Sequence, residues 1–236
     1  MINHQFILPL SLLILLCFRV KAQTAEENFH KDWANIKRYE AANSKLTSTT
    51  AKKNTRVIYM GDSITDLWII SDSSFFSSHD FIDRGIGGQT TGQMLVRFKE
   101  DVINLKPAAV IILAGINDIA ENNGPSKLED VMGNIISMSE LANANHVKVI
   151  LCSVLPAYSF PWRPAINPAP KVKALNSMIK TYANSHHLQY LDYYSEMADT
   201  RGGLSQDLAK DGVHPTLKGY KLMEPLALKA ITSALK

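Results

Sequence analysis

Four short clusters of glycine and polar residues carry the chemistry this chain offers: Gly61-Asp62-Ser63, Gly85-Ile86-Gly87-Gly88, Gly115-Ile116-Asn117-Asp118 and Asp211-Gly212-Val213-His214. An Asp three residues before a His can curl back to the imidazole Nδ1 and fix its tautomer. Nε2 is then free to take a proton from a serine. With Ser63 in a tight turn, that arrangement suits nucleophilic acyl transfer. An Asn amide at position 117 and a backbone N–H from the glycine turn could hydrogen-bond a developing oxyanion. Each cluster also has a plain structural reading: a Ser or Asp helix cap, positive φ at the glycines, an Asx turn at Asn117-Asp118, and a surface turn before the helix-starting Pro215. What favours chemistry is that all four fall where strands or helices meet one edge of a sheet.

The elements that must position them follow from hydrophobic patterning. Arg56 to Met60 and Phe81 to Arg84 read as short strands that stop at glycine, and Pro107 to Leu113 is a continuous apolar run. A run without alternation suits a strand covered on both faces. Val147 to Cys152 and Leu188 to Leu191 complete a set of five. Apolar residues at helical spacing predict helices over about 26–46, 91–104, 126–144, 171–186 and 215–235. Residues 44–54 read as a linker, 68–80 as a loop or broken helix, and the proline-rich 156–170 as irregular. Strands alternating with helices predict an α/β domain with a parallel sheet between helical layers, and ligands in that architecture sit beyond the C-terminal strand ends.

The 236 residues hold 25 Lys and Arg against 22 Asp and Glu, a net charge of +3, too small and too scattered for a polyanion, so nucleic acid is not an expected partner. Phe6 to Val20 is almost continuously apolar but too short for a membrane span, and Arg19 interrupts it. Val20-Lys21-Ala22 follows, so residues 1–22 read as a signal peptide cleaved after Ala22, residues 23–54 as an N-terminal helix and linker, and 55–236 as the catalytic domain. The expected location is secreted or periplasmic, with no stable membrane span after processing. A lipid anchor on Cys17 is disfavoured because Leu16 before it is not small. Processing leaves Cys152 as the sole cysteine, read as core packing, and no internal disulfide. His79, His146, His186 and His187 lack carboxylates at ligand spacing, so no metal is expected, and the glycine turn lacks the order of a dinucleotide loop, so no cofactor is expected either.

Taken together, in order and type, the four clusters resemble the blocks of the SGNH hydrolases, the GDSL-type esterases and lipases, over about two thirds of the chain. The resemblance implies a flavodoxin-like sheet in a three-layer α/β/α sandwich. It implies Ser63 as nucleophile, His214 as base, Asp211 as its orienting acid, and an oxyanion hole of the Ser63 N–H, the Gly88 N–H and the Asn117 side chain. Gly88 rather than Gly87 is assigned because the family places this glycine just before an acidic or amide residue and Thr, here Gln89-Thr90. The Gln is a departure where relatives often have Asp. Asp62 and Asp118 are read as braces of their turns.

Trp68, Tyr158, Phe160, Trp162 and Arg163 are expected on loops overhanging the pocket, where aromatics could hold a sugar face or an acyl chain. Export and the lack of a long apolar insertion favour small acyl groups, such as acetyl on a carbohydrate, so the expected partner is a small-molecule or glycan ester. Other readings are a lysophospholipase or arylesterase, an acyltransferase using the same serine, and a non-catalytic carbohydrate-binding descendant. Nothing in the sequence specifies an oligomeric state.

Overall fold

The structure, a computed structural model, describes residues 32–48 and 55–236. The proposed signal peptide and parts of the N-terminal helix and linker lie outside these residues. In chain order, a short 3₁₀ turn at Ile36–Tyr39 leads into α1 (Glu40–Ser48), followed by β1 (Val57–Gly61), α2 (Ser63–Ser71), α3 (Ser73–Ser77), β2 (Phe81–Gly85) and α4 (Thr91–Asp101). The second half runs through β3 (Ala109–Leu113), α5 (Ile116–Ile119), α6 (Leu128–Ala144), β4 (Lys148–Cys152), α7 (Pro168–Ser185), β5 (Gln189–Leu191), α8 (Tyr193–Met197) and α9 (Leu217–Ala234).

The five strands form one parallel sheet in the order β2-β1-β3-β4-β5. Every residue of β1 and β3 is buried, as a strand covered on both faces requires. Packed against the sheet, α2 and α9 touch each other in one layer, while α4, α6 and α7 succeed one another in the other. The protein is thus a three-layer α/β/α sandwich, as expected. The order reverses between β2 and β3 around β1, and such a switch point opens a crevice at the strands' carboxyl ends. Register aligns Gly61 of β1 with Gly85 of β2 and Leu113 of β3, so the first three clusters leave the sheet side by side.

Several boundaries differ from the sequence expectation for local reasons. The stretch read as a loop or broken helix is two helices, because Asp62 and Asp72 each cap one: Asp62 accepts from Ile64 N and Asp72 from Phe75 N. Helix α7 begins three residues earlier than expected, since Pro168 sits in its first turn, where a missing N–H costs nothing. The N-terminal helix is α1 preceded by the 3₁₀ turn.

Candidate active site

Ser63 leaves β1 after the buried Asp62 and opens α2. Asp62 Oδ1 accepts from Ile64 N at 2.9 Å, which turns the chain sharply and presents the Ser63 hydroxyl at the helix N-terminus, where the dipole favours negative charge. Gly61 has to be glycine: a Cβ there would lie 2.1 Å from Thr65 Oγ1. Ser63 Oγ lies 2.8 Å from His214 Nε2, and His214 Nδ1 lies 2.6 Å from Asp211 Oδ2. The other carboxylate oxygen, Oδ1, accepts from the backbone N–H groups of Val213 and His214 at 2.9 and 2.8 Å. Burial pushes the Asp211 carboxyl up, but the hydrogen bonds from the His214 ring and backbone outweigh it and hold the group below its ordinary value. Asp211 is therefore anionic and the His214 ring is held by it, an ordered line from carboxylate to hydroxyl.

The groups expected to donate to an oxyanion are placed as follows. A Cβ on Gly87 would sit 3.9 Å from Ser63 Cβ, so the glycine turn lies against the serine, and Gly88 follows with φ +77°. Neither the Ser63 nor the Gly88 N–H has a backbone acceptor among the described residues. Asn117, in the first turn of α5, is buried; it gives one amide hydrogen to Gln89 O at 3.0 Å and retains the second. Its Oδ1 accepts from Asn122 Nδ2 at 2.7 Å. Asp118 fixes the neighbouring α4, both carboxylate oxygens accepting from Thr91 N and one from Thr91 Oγ1. Gln89 is bound at both ends of its side chain: it accepts from Arg97 Nε at 2.6 Å and donates to Ala34 O at 2.7 Å. The arrangement can activate a hydroxyl and hold an oxyanion. Among the described residues no three His, Cys, Asp or Glu side chains gather in a way that could hold a metal ion.

Residues 59–222 match the GDSL-like Lipase/Acylhydrolase family. The chain belongs to this family. Its members are hydrolases acting on esters. The GDSL-like chain is similar to a solved structure from Bacteroides fragilis, 49% identical over 88% of this chain and the whole of that one, with a TM-score of 0.85. A GDSL-like lipase from Bacteroides thetaiotaomicron is 48% identical over 86% of this chain and the whole of its own, with a TM-score of 0.83. Among curated proteins, an uncharacterized lipoprotein of Bacillus subtilis, YqeF, is 32% identical over 80 residues. That match covers 33% of each chain. A relative that is itself named a lipoprotein is compatible with export and gives no support to ranking a lipid anchor below free secretion. No helix among the described residues is long and apolar enough to cross a membrane.

Of the residues expected around the pocket, the structure brings some to the site and not others. Trp162 is exposed, with its ring centroid 6.1 Å from that of His214, and its Nε1 donates to Asn122 Oδ1 at 3.3 Å. Tyr158 is exposed beneath the Arg201 guanidinium and, with Gln206 and Lys210, lines a cavity of about 180 Å³ beside Asp211. Arg163 points to the Glu121 carbonyl instead of the triad. Trp68 is no pocket residue: it is on α2, 1% exposed, stacked on Phe75 and Tyr220, since the side of α2 on which it lies faces the sheet. Phe160 is likewise fully buried and anchors its loop from below. Asn122, which sequence reasoning passed over, touches both Asn117 and Trp162. Its only signal is an Asn five residues after Asn117, in a run that reads equally well as a helix end.

Proposed function

We propose that the protein is a serine ester hydrolase that removes small acyl groups, acetyl foremost, from a carbohydrate or similar polar alcohol. The observation that carries this reading is the unbroken line Asp211–His214–Ser63, 2.6 and 2.8 Å at its two links. Ser63 Oγ attacks the ester carbonyl carbon and its proton passes to His214 Nε2. The carbonyl oxygen takes the negative charge, held by the Ser63 and Gly88 N–H groups and the second amide hydrogen of Asn117. Collapse breaks the bond to the leaving alcohol, which receives the proton from His214 and departs, leaving Ser63 acylated. Water then gives its proton to His214, attacks the acyl carbon and releases the acid, and the proton returns to Ser63.

A polar leaving group is supported by the surroundings of the triad. Trp162 offers a half-exposed ring beside His214, and the cavity next to Asp211 has Tyr158, Arg201, Gln206 and Lys210 on its walls, groups that hydrogen-bond hydroxyls. An acetyl xylan esterase and an acetyl-xylooligosaccharide esterase share the fold at 17% and 20% identity, with TM-scores of 0.62, so the scaffold accommodates deacetylation of sugars. Export of the chain, read from residues 1–22, fits a glycan substrate outside the cell.

The test is purified protein with p-nitrophenyl acetate, butyrate and octanoate, alongside Ser63→Ala. The expected result is kcat/KM highest on acetate and lost in the variant, with unchanged folding by circular dichroism. Preference for octanoate would favour a lipid ester; equal activity in both proteins would remove Ser63 as nucleophile.

A further inference from the structure

The hydrogen-bond polarity of the site has a source outside the triad. An indole N–H only donates, so Asn122 must turn its oxygen toward Trp162 and its nitrogen toward Asn117. That nitrogen donates to Asn117 Oδ1, which forces the Asn117 nitrogen to the opposite side, toward Gln89 O. At each step a donor meets an acceptor, and the second amide hydrogen of Asn117, which has no acceptor among the described residues, is left for the proposed oxyanion. A second link holds Asn122 in place, since its own backbone N–H donates to Asn117 O at 3.0 Å. Glu121, just before it, has φ +57° and accepts from Arg163 and Lys171, which fastens this turn to the Trp162 loop and to α7.

We propose that Asn122 is a positioning residue that sets the amide orientation of Asn117 and couples it to occupancy of the Trp162 face. Asn117 presents a hydrogen to an oxyanion in one amide orientation and a repelling oxygen in the other. Gln89 O favours the productive one from one side and Asn122 from the other. Trp162 is exposed at the mouth beside His214, so a substrate group packed on its ring holds the indole still and keeps its N–H on Asn122. Binding at the rim is thereby converted into order at the reacting carbonyl. The inference rests on the reading of Asn117 as an oxyanion donor.

Steady-state kinetics on p-nitrophenyl acetate with the full chain test it. Asn117→Ala is expected to lower kcat by about 10²–10³. Asn122→Ala, which frees the amide to flip, is expected to lower kcat roughly tenfold or more with little change in KM, and to add nothing in the Asn117→Ala background. Asn122→Asp is expected to be worse than Asn122→Ala although it preserves shape: a carboxylate gives no donor to Asn117 Oδ1 and draws the Asn117 nitrogen over, turning its oxygen to the oxyanion. A residue that only supported the loop would make the isosteric change the milder one. Trp162→Phe is expected to lower kcat several-fold in wild type and not at all in Asn122→Ala. If Asn117→Ala is impaired but Asn122→Ala is harmless, multiplies with it, or exceeds Asn122→Asp in its effect, the coupling is overturned and the oxyanion reading stands. If Asn117→Ala retains full kcat, both fall together.

Discussion

Replacing Asp211 by Asn tests the triad more sharply than replacing it by Ala, and the reason lies in where the two carboxylate oxygens point. Oδ1 accepts from two backbone N–H groups, those of Val213 and His214, while Oδ2 faces His214 Nδ1. An Asn side chain has one acceptor and one donor end. The two backbone donors claim its oxygen, because the reverse orientation would set an NH₂ against two N–H groups. The NH₂ is then left facing Nδ1, which must accept, so the imidazole proton is driven to Nε2. In that tautomer Nε2 donates to Ser63 and cannot take its proton. The expected loss in kcat is about 10⁴, which corresponds to about 5 kcal/mol of barrier, by comparison with the same exchange in a Ser-His-Asp protease. Asp211→Ala leaves Nδ1 to water and the tautomer free, so it should retain more activity than Asp211→Asn despite removing more atoms. Turnover of p-nitrophenyl acetate by both variants, with near-ultraviolet circular dichroism as a folding control, decides the matter. An Asp211→Asn protein as active as Asp211→Ala, or within tenfold of wild type, would refute the tautomer argument.

Two further perturbations separate packing from chemistry. Trp68→Ala empties a site stacked between Phe75 and Tyr220 and should lower stability by about 3–5 kcal/mol, read as a fall in Tm, with KM unchanged in the protein that remains folded; a changed KM at unaltered Tm would return Trp68 to the pocket. Burial pushes the Asp62 carboxyl up to about 7, opposed by the Ile64 N–H and the nearby His214 ring, whereas an unfolded Asp ionises near pH 4. Between those values the folded state holds the extra proton, so this group's contribution to stability falls as pH rises. Asp62→Asn keeps an acceptor for Ile64 N and should reduce the loss of unfolding free energy between pH 5 and pH 8 by up to about 3 kcal/mol in urea titrations; an undiminished loss would count against a buried, proton-holding Asp62.

How much of this was legible in the sequence depended on whether the signal was local. The grouping of Asp211, His214 and Ser63 proposed as a triad had local signals, since Asp211 and His214 are three residues apart and Ser63 stands two residues past the end of β1; the fold was legible because β1 and β3 are unbroken apolar runs. Trp68 misled because an aromatic between two strands looks the same whether it faces solvent or sheet. Its fate is decided by the Asp62 and Asp72 caps, which start two helices and set which side turns inward. Helix α8 was missed since its five residues carry no periodicity, only the Asp192 cap that accepts from Ser195 N. Asn122 was invisible for a different reason: its role is the direction of a hydrogen bond, which exists only after Trp162, forty residues later, has been brought beside it.

The glycine turn proposed to supply the Gly88 N–H is not rigid through its own residues, three of which are glycine. Its order comes from below, where Arg97 is wholly buried and donates to Asp101 Oδ2, Gln89 Oε1, Gly61 O and Arg84 O. A buried guanidinium is costly unless its donors are met, and here each of its three nitrogens has a partner. Those partners include the residue before Asp62-Ser63 and the residue after Gly88, so one charged group clamps the two backbone segments between which the oxyanion would sit. From the outer side, Tyr39 donates to Gly85 O, and Arg38 pairs with Asp66, whose other oxygen accepts from Gly87 N at 3.2 Å. Gln89 reaches the same N-terminal segment through Ala34 O. The segment ahead of β1 is therefore structurally continuous with the reactive turn: glycines let the backbone come close to the serine, and the buried Arg97 and the 34–39 segment restrict the motion that those glycines would otherwise allow.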